Sequence, residues 1–185
     1  MTPPEPTDPR SDQDLVAAVN RGETGAFEVL YRRHRDWVVR LAYRCTADRD
    51  DALDVLQETF AYLLRRFPGF RLTAAMTTFL YPVVKHVSIS LLRKRGREVS
   101  DDALIQAVAD EPGDDAGARR AELAAMMASL PPAQREVVLM RFVDGMSLAE
   151  IAAALGIPAG TVKSRLHHAL AALRNDPRTR AYFEE

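Results

Sequence analysis

The segment from Leu130 to Arg174 constrains this chain most, because its periodicity fits one layout: a helix, a tight turn and a second helix. Ser147 and Glu150 stand at capping-box spacing, where hydroxyl and carboxylate each take up a free backbone N–H at a helix start. Ile151, Ala152 and Leu155 give that helix an apolar stripe. Gly156 ends it, since glycine enters the left-handed region freely, and Pro158 suits the opening of the next helix. On that next helix Val162, Leu166, Ala169, Leu170 and Leu173 recur at three and four on one side. Thr161, Ser164 and His168 lie opposite, with Lys163 and Arg165 on the flanks. A helix that only packs does not need an exposed face of short, hydrogen-bonding side chains. A helix entering a DNA major groove does, because base edges take donors and acceptors while phosphates take Arg or Lys.

Composition narrows the class. In 185 residues 47% are apolar, enough for cores, and the net charge of −1 excludes a protein that coats nucleic acid indiscriminately. All but three of the 25 basic residues are Arg, the exceptions being Lys85, Lys94 and Lys163; the bias suits phosphate recognition and equally suits a GC-rich genome. Cys45 is alone, so neither a disulfide framework nor a cysteine zinc site is expected. No apolar run approaches the roughly 18 residues of a membrane span, and the start lacks the pattern of a signal peptide. The expected compartment is the cytoplasm, with no direct membrane insertion.

Along the chain, residues 1–12 are rich in Pro and acid and read as a disordered tail. A helical pattern fills 13–97. Residues 98–118 carry seven acids, no base, two Gly and one Pro, and read as an acidic linker. Helical periodicity resumes over 119–176, and a short tail, 177–185, follows. With no alternating strand pattern, the expected fold is all-α: two small helical bundles joined by an acidic flexible linker.

The front block holds two further patterns. From Asp48 to Phe60 an amphipathic helix places Leu53, Leu56, Phe60, Leu63 and Leu64 on a core face, with Asp51, Asp54 and Glu58 opposite and Gln57 beside them. That acidic face is either solvated or a docking surface for a basic partner. After a loop from Pro68 to Thr78, a helix buries Leu80, Val83, Val84, Val87 and Leu91. Its other side presents Phe79, Pro82, His86, Ser90 and Arg93, followed by Lys94, Arg95 and Arg97. An exposed aromatic with a polar and basic track suits single-stranded nucleic acid, and the loop offers a pocket for a flipped base. Upstream, Phe27, Leu30, Tyr31, His34, Val38 and Leu41 form a core stripe with Trp37 at its edge, and His34 reads as a satisfied core histidine.

The Leu130-Pro-Pro, Arg135-Glu136 and Gly160-to-Arg165 segments resemble region four of bacterial RNA polymerase sigma factors, in particular the extracytoplasmic-function (ECF) group. Residues 51–60 resemble region 2.2, and the helix after the loop resembles region 2.3. The resemblance spans Asp12 to Asn175 and implies an alternative sigma factor, without catalytic residues or cofactor, that binds core RNA polymerase and directs promoter-specific initiation. It implies that Thr161, Lys163, Ser164, Arg165 and His168 meet the minus-thirty-five element. It assigns Phe79, His86, Ser90, Arg93 and Lys94 to the minus-ten element, which the protein helps to melt. Asp51, Asp54, Gln57 and Glu58 would contact the clamp helices of the largest polymerase subunit, and the rear block the flap tip. The linker would thread toward the active-site and RNA-exit channels, and an anti-sigma factor would clamp both blocks. Family members commonly carry Trp, Arg, Asn and Asp where this chain has Phe79, Pro82, His86 and Ser90.

Two rival readings stand beside this one. A stand-alone helix-turn-helix regulator would bind palindromic half-sites as a dimer; the acidic face and the basic track argue against it. An enzyme is disfavoured because His34, His86, His167 and His168 show no ligand spacing with acids or Cys45, and no phosphate loop or nucleophile elbow is present.

Overall fold

The computed structural model describes residues 8–97 and 124–176, and all regular structure among them is helical. The acidic linker and both chain ends beyond these limits lie outside the described residues. In the front block α1 spans Asp12–Asn20, α2 Thr24–Thr46, α3 Arg49–Arg65 and α4 Met76–Lys94. In the rear block residues 124–128 are helical, and α5 (Pro132–Phe142), α6 (Leu148–Leu155) and α7 (Ala159–Asn175) follow.

The expected N-terminal tail is partly ordered. Ser11 caps α1 in a reciprocal box with Asp14, and Arg10 bonds to both Asp8 and Glu23. Arg33 of α2 donates to the carbonyls of Asp8 and Arg10 and to the Asp12 carboxylate. Charge pairing thus pins residues 8–12 to the bundle, a contact that composition does not reveal.

Helices α2, α3 and α4 pack around Leu30, Val38, Leu41, Val55, Phe60, Leu63, Leu80 and Val84, all buried. His34 is buried with Nε2 2.9 Å from Asp12, as a satisfied core histidine should be. An aromatic run leads outward from this core. Tyr31 meets Phe60, Phe60 meets Phe27, Phe27 meets Phe67, and Phe67 meets Phe70. The last step is Phe70 to Phe79, with centroids 4.8 Å apart.

The rear block forms the expected helix-turn-helix. Ser147 and Glu150 complete their capping box, and Gly156 adopts φ +64 at the turn. Arg135 is buried and donates to the carbonyls of Met127, Ala128 and Leu130. It therefore acts as a C-terminal cap for the short helix preceding α5, satisfying carbonyls that have no intrahelical partner.

The two blocks do not sit apart. Helix α4 packs on α6, and Val137, Met140, Met146, Ile151 and Val162 join the apolar core of the front block. Arg44 of α2 grips Asp144 with N–O distances of 2.7 and 2.6 Å, the two side chains only 6% and 3% exposed. Beside it Glu136 accepts from the Tyr81 hydroxyl at 2.8 Å and from Lys85 at 3.0 Å. Burial and the neighbouring Glu136 charge push the Tyr81 hydroxyl far above its ordinary value, so it remains a donor.

Candidate nucleic-acid and polymerase interface

Helix α7 presents its outer face to solvent. Val162 and Ala169 are buried against α5 and α6, Leu166 and Leu173 are half-buried, and Leu170, expected in the stripe, is exposed. Lys163, Ser164 and His168 are exposed, while Thr161 and Arg165 are half-buried beside them. Thr161, Ser164 and His168 lie on one side of α7 with Lys163 and Arg165 on its two flanks, and neither cation forms an ion pair among the described residues.

Helix α4 places Pro82, His86, Arg93 and Lys94 on an exposed track, with Ser90 half-buried. Phe79 differs from its expected role as an exposed aromatic: it is half-buried, and its ring leans on Phe70. The cause is the preceding loop, which is tied back to α1. Asn20 accepts from the Gly69 N–H at 2.6 Å and donates to the Phe70 carbonyl at 2.8 Å, holding Phe70 over Phe79. Sequence reasoning missed Asn20, because the bond spans 50 residues and one Asn among many carries no signal. The burial of Tyr81, Ser88 and Leu92 also departs from the expected stripe; Tyr81 meets Glu136 of the rear block, and Ser88 faces Cys45 of α2.

The acidic face of α3 departs furthest from the sequence expectation. Asp51, expected among the exposed docking residues, is 0% exposed. Arg95 and Arg97 from the end of α4 fold over it, Arg97 at 2.8 Å, and bury it. A buried and fully ion-paired carboxylate is not free to meet a partner, so Asp51 leaves the docking set. Asp54, Gln57 and Glu58 remain exposed, with Asp54 paired to Arg95 at 2.7 Å and Glu58 to Arg65 at 2.6 Å. Leu53 and Leu64, expected in the core, are 47% and 50% exposed. At about 100° per residue both lie some 60–80° off the Leu56 line, next to Gln57. The helix therefore shows a mixed outer face: two leucines, Gln57 and two carboxylates.

Among the described residues no group of acids, His and Cys is placed to hold a metal ion, and no helix is long and apolar enough to cross a membrane. Cys45 is buried near the seam, and desolvation raises its thiol pKa, keeping it neutral.

Comparison with known proteins decides among the readings. Residues 30–98 match Sigma-70 region 2, and residues 120–173 match Sigma-70, region 4. The ECF RNA polymerase sigma factor SigE of Mycolicibacterium smegmatis is 31% identical over 180 residues, covering 92% of this chain and 69% of that protein. The chain belongs to the extracytoplasmic-function group of sigma-70 factors. SigM of Mycobacterium tuberculosis, also an ECF RNA polymerase sigma factor, is 34% identical over 89% of this chain and 83% of its own length. The structure of CnrH in complex with the cytosolic domain of CnrY shares the fold, with a TM-score of 0.64 and 24% identity over 94% of this chain and 97% of that one. The sigma factor RpoE of Bartonella quintana, solved with the anti-sigma factor NepR, aligns with a TM-score of 0.60 and 23% identity over 79% of this chain and 92% of that one. In this ECF sigma factor most of α2, with α3 and α4, falls within the region 2 match, and α5, α6 and all but the end of α7 fall within the region 4 match.

Proposed function

We propose that this alternative sigma factor docks on core RNA polymerase through the outer face of α3 and reads a bipartite promoter with α7 and α4. The observation that carries the reading is the uncommitted polar and basic face of α7, in one chain with the mixed acidic and apolar face of α3. Asp54, Gln57 and Glu58 supply charge and hydrogen bonds to a basic helical clamp, and Leu53 and Leu64 supply apolar area. Phosphates are met by Lys163, Arg165, Arg93 and Lys94. Thr161, Ser164 and His168 face base edges. His86 and Ser90 line the minus-ten track, and Phe79 stacks from its seat on Phe70. An anti-sigma factor is the further partner this reading carries.

The packed arrangement adds a requirement. Packed helices lie about 8–10 Å apart, so α4 and α7, both touching α6, are at most roughly 20 Å apart where they pack on it. Promoter elements about 25 base pairs apart are separated by roughly 85 Å, at about 3.4 Å per step. The blocks therefore part before both elements are engaged, and the polymerase fixes the wider spacing.

Co-purification with core polymerase tests the docking face. Leu53→Asp combined with Glu58→Arg changes two exposed positions and should abolish retention while leaving the thermal melt of the chain intact. Retention equal to the unmodified chain would remove α3 from the interface.

A further inference from the structure

The burial of Asp51 under Arg95 and Arg97 links the two surfaces of region 2. Helix α4 ends in a Schellman turn: Gly96 takes φ +66, its N–H bonds to the Arg93 carbonyl, and the Arg97 N–H bonds to the Leu92 carbonyl. The turn swings Arg97 back onto Asp51. Arg95, two residues earlier, bridges two carboxylates of α3, buried Asp51 and half-exposed Asp54. Asp54 belongs to the docking face, whereas Arg95 directly follows the DNA track of Arg93 and Lys94.

We propose that Arg95 is a charge shared between docking and DNA binding: in the free chain Asp51 and Asp54 hold it, and a basic partner on Asp54 releases it toward nucleic-acid phosphate. The release is feasible because Arg97 stays bonded to Asp51 Oδ2 at 2.8 Å, so the buried charge keeps a counter-ion when Oδ1 gives up Arg95. Occupation of α3 then adds a cation to the track on α4, and DNA contact is favoured once the chain is on the polymerase. By reciprocity, DNA that takes Arg95 frees Asp54 for docking. The proposal rests on the reading of α4 as a DNA face.

A double-mutant cycle separates this coupling from a simple change of net charge. The full-length chain, Asp54→Asn, Arg95→Gln and the double variant are titrated with a labelled single-stranded 20-nucleotide DNA of mixed sequence at low salt. Asp54→Asn should tighten binding at least about threefold, within the usual coupling between residues that share a partner. It should also steepen the log–log salt dependence by about 0.7, the contribution of one more phosphate contact on a single strand. In the Arg95→Gln background Asp54→Asn should have no effect, whereas in an Arg93→Gln background its effect should persist. Equal tightening with and without Arg95, or none at all, would overturn the proposal. The Arg95 side-chain Nε–Hε resonance gives a readout that needs no change at Arg95 itself. DNA should shift it in the Asp54→Asn chain far more than in the unmodified chain, and equal shifts would likewise overturn the coupling. If neither the free chain nor its complex with core polymerase bound this DNA, the DNA assignment of α4 would fall, and the coupling with it; binding without coupling would overturn the coupling alone.

Discussion

Single side chains decide which surfaces of this protein are free. Asp51 and Asp54 are three residues apart on one helix, yet one is buried under two arginines and the other faces solvent. Helical spacing alone assigns both to the same face, because the covering arginines arrive from 40 residues and more away. Asp12 shows the same dependence on distant partners. Its bonds to His34 and then Arg33 hold its carboxyl pKa below the ordinary 3.8. A depressed carboxylate stabilises the fold fully above its unfolded value, and that contribution is lost as the pH falls through the lower folded value. Asp12→Asn should therefore cost about 1 kcal/mol at pH 7, with the gap closing toward strongly acidic pH, as urea titrations at several pH values would show. At α7, Arg165→Ala should weaken promoter binding by the holoenzyme about equally across sequences and lower the log–log salt slope by about 1, as loss of one phosphate contact does. An unchanged footprint would remove Arg165 from the site.

At the scale of helices, the sequence is most legible where a local rule suffices. The Ser147–Glu150 box, the Gly156 turn and the buried Val162 and Ala169 all follow from spacing and capping chemistry within a few residues. Gly156→Ala should lower stability by about 1–2 kcal/mol, since its φ of +64 is a left-handed conformation that a Cβ disfavours and no neighbouring atom crowds the position. A thermal melt measures this. Legibility fails at the edges of stripes. Leu53 and Leu64 sit between core and solvent by angle, and only the bundle's geometry settles their side. Phe79 is drawn inward by Phe70, and Phe70 by Asn20, a chain of contacts that no periodicity encodes.

For the molecule as a whole, two helical blocks were readable and their seam was not. Arg44 and Asp144 are 100 residues apart, and nothing in a chain with so many arginines singles out that pair. Breaking a buried ion pair by removing one partner costs about 3–5 kcal/mol, because the other charge is left uncompensated. Arg44→Ala should thus open the seam and raise the radius of gyration measured by small-angle scattering; an unchanged radius would show that apolar packing holds the blocks together by itself. Run-off transcription with core polymerase on a library of promoter fragments tests the central claim most directly. Initiation at discrete sites that needs the chain, and is lost both with Leu53→Asp/Glu58→Arg on α3 and with Lys163→Ala/Arg165→Ala on α7, is the predicted result. A chain that leaves core polymerase silent, while binding a palindromic operator tightly as a dimer, would contradict the account.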